Sequence, residues 1–241
     1  MTSPHSLQTW TAFQSTNRFR RAIRKFGPSP VSDTDMRELL AEAALAPSSG
    51  NLQPYQMHWI REPSLKNDIA LACNGQKAAA TASSLIVVVA SPALGRKTAA
   101  DQLAYIEASH SLVSNAKAYH RKHIAKFQKI LGIGSSAVWT PLVGLLAAAK
   151  PGLSLLPIGH IGSRHWAARN AVLAAQTLML GAASKGIDTC PMEGFSATQV
   201  ARLLGLPRGA VVPMVIALGY RADDVLEDRW RRQFADMVVS H

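Results

Sequence analysis

The sequence predicts an α+β chain in which helices alternate with strands that pair in antiparallel or mixed fashion. Three observations predict it. Leu85-Ile86-Val87-Val88-Val89-Ala90 is an apolar, largely β-branched run, the pattern of a strand buried on both faces at the centre of a sheet. Tyr55–Arg61 and Val211–Leu218 supply two further strand patterns far apart in the chain. Between them, residues 163–185 are Ala-rich and carry Trp166, Ala167, Asn170, Ala171, Ala174, Ala175, Leu178 and Met179 at helical spacing. Side chains this small allow close approach, so that helix is either central or at a subunit interface.

The remaining elements follow in order. Residues 6–18 read as a first helix ending near Asn17. Arg18–Phe26 then alternates apolar and cationic positions, as an extended segment does, and halts at Gly27-Pro28-Ser29-Pro30. Ser32-Asp33-Thr34-Asp35 has the hydroxyl-x-x-acid form of a capping box, and Met36, Leu39, Leu40, Ala43 and Ala44 repeat at helical spacing up to Pro47. Ser64–Ala72 reads as a short helix. Residues 99–129 read as one long helix whose second half, Asn115 to Lys129, turns many positive charges to solvent. The helix over 163–185 ends at Lys185-Gly186, with glycine at the expected stop. Ile187–Phe195 is a short strand running into an irregular loop, and Thr198–Leu204 is a helix. Beyond the last strand lie the basic tail Asp228-Arg229-Trp230-Arg231-Arg232 and the apolar Phe234, Met237, Val238 and Val239.

Length and composition suit one domain, 1–241, with an apolar insertion at about 131–161. From Ala137 to Ile161 the only ionisable residues are Lys150 and His160. Pro141, Pro151 and Pro157 break this stretch too often for a bilayer span, which needs about 20 consecutive apolar residues. A flap over a pocket, a partner-facing surface and a core insertion all fit it. Cys73 and Cys190 form neither a CxxC pair nor a disulfide framework, and the N-terminus lacks the basic-then-apolar order of a secretory signal. A cytoplasmic location is expected.

The formal charge of +11 invites an anionic partner. Half of the 26 basic residues fall at Arg18–Lys25, at Lys117–Lys129 and at Arg229–Arg232. The sequence shows no zinc finger, no RNP-like aromatic motif and no basic region followed by heptads, so nucleic acid is not the expected partner. No metal site is expected either: His120 and His123 lie three apart on a helix, but no nearby Asp, Glu or Cys completes a ligand set.

Ala46-Pro47-Ser48-Ser49-Gly50-Asn51-Leu52-Gln53-Pro54 joins a helix to a strand. Pro47 ends the helix, Gly50 permits a positive φ, and the Ser, Asn and Gln side chains offer short hydrogen-bonding groups. Such a loop, fixed at both ends, suits ligand binding; a turn whose polar groups satisfy the local backbone is the plainer reading.

Four separated motifs in one order give the chain a resemblance. They are Arg20-Arg21-x-x-Arg24, Pro47-Ser48-Ser49-x-Asn51-x-Gln53-Pro54, Asn74-x-x-Lys77, and Gly186-Ile187-Asp188-x-Cys190-Pro191-Met192-Glu193-Gly194-Phe195. Together they resemble the nitroreductase family of FMN enzymes, from about Arg18 to Val239. The resemblance implies a mostly antiparallel central sheet flanked by helices, and a homodimer with C-terminal segments exchanged. It implies two FMN sites built from both chains, and ping-pong electron transfer from NAD(P)H to a small acceptor such as a nitroaromatic or quinone.

Carried over residue by residue, the resemblance puts Arg20 and Arg21 at the flavin phosphate and ribityl chain, and Arg24 beside the pyrimidine end of the ring. Arg229 and Arg231 fall where C-terminal cations close on the phosphate. Pro47, Ser48, Ser49 and Asn51 match the loop given by the partner subunit, and Asn74 and Lys77 match side chains at the ring's polar edge. Pro191, Met192, Glu193 and Gly194 match the loop along the ring, with the Glu193 backbone N–H toward flavin N5. Ala22 stands where the family usually has serine, which removes one hydroxyl contact, and Tyr55 stands where tryptophan is common. The residue chemistry agrees: guanidinium forks suit a dianionic phosphate, and a fixed cation near N1 and O2 favours the reduced ring. No side-chain nucleophile or general base is needed, so no catalytic side chain is expected. A dehalogenase-like or other specialised member of the family, and a basic protein resting on a membrane surface, are the alternatives.

Overall fold

In the computed structural model every residue of the strand Ser84–Ala90 is buried, and its side chains feed two apolar layers. The structure describes residues 4–132, 162–223 and 228–241, together with positions 141–142, 145–146 and 148–149. Ile86, Val88 and Ala90 face one layer, while Leu85, Val87 and Val89 face the other. Strand period two makes this split unavoidable once both faces are covered.

Among the described residues, four strands form the sheet: β1 (Tyr55–Ile60), β2 (Ser84–Ala90), β3 (Asp188–Met192) and β4 (Val211–Gly219). Their order is β1-β2-β4-β3 and every pairing is antiparallel. The helices are α1 (Pro4–Phe19), α2 (Asp33–Ala44), α3 (Pro63–Ala72), α4 (Lys77–Thr81), α5 (Pro92–Ala108) and α6 (Ser114–Leu131). They continue as α7 (Ser163–Ser184), α8 (Ala197–Leu203) and α9 (Phe234–Met237). The expected α+β architecture with an antiparallel sheet between helices is present.

Helix α7 packs along the sheet through Trp166, Ala167, Ala171, Ala175, Leu178 and Ala182, in one layer with Met36 and Leu39 of α2 and Ile124 and Phe127 of α6. Gly181 lets α2 come close, since a Cβ there would stand 3.2 Å from Leu39. The opposite layer holds Ile69 and Ala72 of α3, Ala78 and Ala79 of α4, and Val200 of α8.

Local chemistry accounts for the boundaries. Ser32 Oγ accepts the Asp35 N–H at 3.0 Å and donates to the Asp35 carboxylate at 2.6 Å, closing the expected N-terminal cap of α2. Helix α7 stops as predicted: Gly186 has φ 70°, and the Ile187 N–H returns to the Ala182 carbonyl at 2.8 Å. The single helix expected over 99–129 is instead two. Ser91 caps α5 with Pro92 behind it, and α5 ends at Ala108. Ser109–Val113 separates it from α6, with the Ser109 and Ser111 hydroxyls 3.1 Å apart. Closely spaced serines compete locally for hydrogen bonds and break the helix that the apolar spacing alone suggests. Of Arg18–Phe26, expected to be extended, Arg18 and Phe19 instead end α1, and the rest forms isolated bridges, Ala22 with Thr189 and Phe26 with Arg221, in place of a strand. Most of the apolar insertion at 131–161 lies outside the described residues. Among the described residues no helix is long and apolar enough to cross a membrane.

Candidate functional site

The segment after α1 is held by its apolar side chains and its backbone. Ile23 and Phe26 are buried, and the N–H groups of Ile23 and Gly27 donate to the Thr189 and Tyr220 carbonyls at 3.0 and 2.8 Å. Phe26 N–H donates to Thr81 Oγ1 at 3.0 Å. Gly219 must be glycine here, because a Cβ would lie 2.8 Å from the Phe26 ring. Ala22 pairs in parallel with Thr189, which sets the start of this segment beside β3. With the apolar positions turned inward, Arg24 is exposed and Arg20 and Arg21 are half-buried.

Arg229 reaches this segment from the other end of the chain. Its guanidinium donates to the carbonyls of Asn17, Arg18 and Arg20 at 3.3, 2.8 and 2.7 Å. A cation is thereby placed on the unsatisfied carbonyls at the C-terminus of α1, where the helix dipole favours it. Burial lowers the Arg229 pKa from the usual arginine value, and the neighbouring charges of Arg231, Arg21 and Arg20 lower it further. Four guanidinium groups from the two ends of the chain therefore share one electrostatic neighbourhood. The repulsion these charges exert on Arg229 is relieved by an anion.

A second group of residues surrounds the end of β3. Beyond Met192 the chain makes a tight turn in which the Phe195 N–H donates to the Glu193 carbonyl at 3.1 Å. The Gly194 carbonyl accepts from Asn74 Nδ2 at 3.0 Å and from Gln76 Nε2 at 2.7 Å. Ser196 N–H closes the loop onto the Ala72 carbonyl at 2.8 Å. Glu193 and Gly194 are exposed, and among the described residues the Glu193 N–H donates to no protein acceptor. Lys77 is exposed at the start of α4. Asn74, expected at a ligand's polar edge, thus spends its amide N–H on the Gly194 carbonyl. Gln76 joins it there, and the sequence reading passed over Gln76: the only signal was an amide beside Gly75, with nothing to say it would meet a residue 118 positions away.

The loop Pro47–Pro54 is anchored elsewhere. Ser49 N–H donates to Asn170 Oδ1 at 2.7 Å, and Asn170 Nδ2 donates to the Trp166 carbonyl at 2.8 Å. Gln53 donates from its backbone to Ser48 Oγ at 3.0 Å and from its side chain to Asn51 Oδ1 at 2.9 Å. Leu52 is the apolar plug, and Pro47 and Asn51 are exposed. Among the described residues, the non-glycine positions with positive φ are Asn51 (54°), Gln53 (41°) and Asn74 (56°). All of them fall in the two loops singled out above; backbone held in this region costs on the order of 1–3 kcal/mol per residue and gathers at ligand sites.

The single chain therefore assembles the candidate residues in two groups. Arg20–Arg24, Asn74, Gln76 and Pro191–Gly194 sit with the layer that contains Ile23, Cys73 and Met192. The loop 47–54 sits with the layer that contains Leu52, Phe127 and Trp166. Cys73 and Cys190 are both buried beneath the first group. Burial pushes the Cys73 thiol up to about 11 and raises that of Cys190, against a smaller opposing effect of Arg24. Both stay protonated at neutral pH and offer no nucleophile. His123, on α6, stacks with Tyr119 and meets the Phe127 ring edge-on at 5.5 Å, so its surroundings are aromatic.

Comparison with known proteins bears on what these groups do. A sequence model described as the nitroreductase family matches residues 18–220. MhqN of Bacillus subtilis, whose name includes NAD(P)H nitroreductase, is 30% identical over 225 residues, covering 93% of this chain and 96% of its own. The crystal structure of ydfN from Bacillus subtilis superimposes with a TM-score of 0.75 at 24% identity, covering 96% of this chain and 99% of that one. A protein of Exiguobacterium sibiricum crystallised in complex with FMN superimposes with a TM-score of 0.65 at 22% identity, over 95% and 97% of the two chains. At these identities the solved structures speak for the fold.

Proposed function

Because the chain belongs to the nitroreductase family, whose members are NAD(P)H- and FMN-dependent oxidoreductases, we propose that it binds FMN and uses it to pass electrons from NAD(P)H to a small acceptor, a nitroaromatic or a quinone. The observation that carries this reading is the meeting of Arg229 with the backbone of residues 17–20, where the charges of Arg231, Arg21 and Arg20 lie close enough to act on it. A phosphate dianion is the partner such a cluster fits, through paired, charge-assisted hydrogen bonds. Bound FMN would supply hydride acceptance at N5 and onward electron transfer.

The residues present fit that group. Arg20, Arg21, Arg229 and Arg231 would hold the phosphate and ribityl end. Arg24 and Lys77 would place positive charge near the pyrimidine edge, where it favours the reduced ring. The Glu193 N–H, on an exposed residue and engaged by no protein acceptor among the described residues, is available to a ligand, which supports its assignment to the ring's N5. Pro191, Met192 and Gly194 would line the ring.

The loop Pro47-Ser48-Ser49-x-Asn51 would complete the site from a second subunit, in a homodimer that exchanges C-terminal segments. Two features support this. The loop is anchored on the opposite side of the sheet from the arginines, and the tail is uncovered in the single chain: Trp230 is 78% and Phe234 73% exposed, with Met237 and Val239 also exposed. Leu7, Trp10 and Phe13 of α1 are exposed as well. Apolar surface of this extent marks an interface.

The test is direct. The purified protein should be yellow, release FMN on heating, and be reduced by NADH or NADPH in a way that nitroaromatics or quinones reverse. A folded preparation that stays colourless after incubation with FMN would overturn the reading.

One observation favours an additional contact with anionic membrane. Lys122, Lys126 and Lys129 form an exposed stripe on α6, and Leu142, Leu145 and Leu146 are exposed at helical positions beyond it. Flotation with phosphatidylglycerol vesicles at low salt should carry the protein upward; no association ends this second reading.

A further inference from the structure

Gln76 occupies the N-cap position of α4, yet its side chain makes no hydrogen bond to its own helix. It crosses to β3's outgoing loop instead, with Nε2 2.7 Å from the Gly194 carbonyl. Asn74 Nδ2 reaches the same oxygen at 3.0 Å from a backbone held at φ 56°. The other end of that peptide unit, the Phe195 N–H, is taken by the Glu193 carbonyl at 3.1 Å. Both polar ends of the 194–195 peptide are thus fixed, and the Ser196 N–H to Ala72 carbonyl bond pins the loop one residue further on. A Cβ at Gly194 would stand 3.5 Å from Gln76 Nε2, in ordinary contact, so the amide lies directly against the turn.

The geometry points to Gln76 as a positioning residue: by holding the Gly194 carbonyl it fixes the direction of the Glu193–Gly194 backbone, and with it the exposed Glu193 N–H. The assignment of that N–H to flavin N5 rests on the function proposed above. The clamp itself does not, and the two can fail separately. An amide donor is required at position 76. A carboxylate would repel the carbonyl, and an apolar side chain of equal length would leave it to Asn74 alone. Removing one of two donors to one acceptor loosens the turn without unfolding it, because the apolar packing of Met192, Ala72 and Ala78 is untouched.

The experiment compares the wild-type protein with Gln76→Met, of similar length and without a donor, and Gln76→Asn, which keeps the amide on a shorter arm. Without flavin, amide hydrogen exchange over residues 192–196 should speed up about fivefold or more in Gln76→Met, with the thermal midpoint changed little. Gln76→Asn should fall between Gln76→Met and wild type. With FMN added, the reduction midpoint should shift in Gln76→Met by about 30 mV, which is a tenfold change in the preference for reduced over oxidised flavin in a two-electron couple. Unchanged exchange in Gln76→Met would overturn the clamp. Faster exchange with an unchanged midpoint would overturn its role toward the flavin. A wild-type protein that takes up no FMN would overturn that role too and sink the proposed function, while the exchange data would still decide the clamp.

Discussion

Asp188 opens β3, and its carboxylate is 3% exposed. It accepts from the Arg221 backbone N–H and Nε at 2.9 Å each, and from Nη2 at 2.5 Å. The Arg221 side chain is 18% exposed and also lies over the Phe19 ring, 4.7 Å from its centroid. Asp188→Ala removes every one of these acceptors and leaves a desolvated guanidinium and a backbone donor behind. Breaking a buried ion pair from one side costs about 3–5 kcal/mol, whereas replacing both partners with apolar residues is often neutral. For a chain of this size that cost lowers the melting temperature by about 6–20 °C. The assay is urea unfolding followed by tryptophan fluorescence at one fixed protein concentration, so that self-association does not shift the midpoint. Asp188→Ala should lose most of that stability, and Asp188→Leu combined with Arg221→Met should recover a large part of it. The reasoning is refuted if the single variant costs under about 1 kcal/mol, or if the double variant is as unstable as the single. Arg221 also follows β4 and bridges to Phe26, so the same variant should weaken FMN binding by loosening the arginine segment.

Arg20→Ala and Arg231→Ala should each weaken FMN by on the order of 1–3 kcal/mol in a fluorescence titration, the range for a lost charged hydrogen bond; unchanged affinity in both would remove the phosphate assignment. The Cys73 thiol has its folded pKa raised from 9.0 to about 11 by burial. Its neutral form is favoured by folding, so that contribution is fully present below pH 9 and fades as pH rises toward 11. Stability measured from pH 8 to 11 should therefore fall less steeply in Cys73→Ala than in the wild type, and equal slopes would contradict it. Deleting residues 228–241 should turn a dimer into a monomer and abolish FMN retention, both readable by light scattering and absorbance; a dimeric, yellow truncated protein would refute the exchanged tail.

Much of the fold was legible because its signals are local. The all-apolar β2, the Ser32 cap and the Gly186 stop each act through neighbours a few residues away. The α5–α6 break was not, since an apolar period of 3.6 carries across Ser109–Val113 unless the serines are weighed against it. Helix α4 was missed because five residues of Lys, Ala and Thr carry too little pattern. The candidate site was legible only as motifs, which name residue types and spacing but not which side chains meet. Gln76, by contrast, acts through a contact between residues 118 apart, and Asp188 through one between residues 33 apart. Nothing in the spacing of either stretch encodes the other, so only the folded chain reveals them.

The reach of Arg229 across to Asn17, Arg18 and Arg20 also sets an order of events during synthesis. Among the described residues every strand ends by Gly219, so a nascent chain can lay down its sheet before Arg229 has left the ribosome. The grip on the first helix comes only once Arg229 has emerged. The contact between Arg229 and the end of the first helix therefore forms after the strands have been made, and a chain cut short before Arg229 would keep its sheet yet lack that contact.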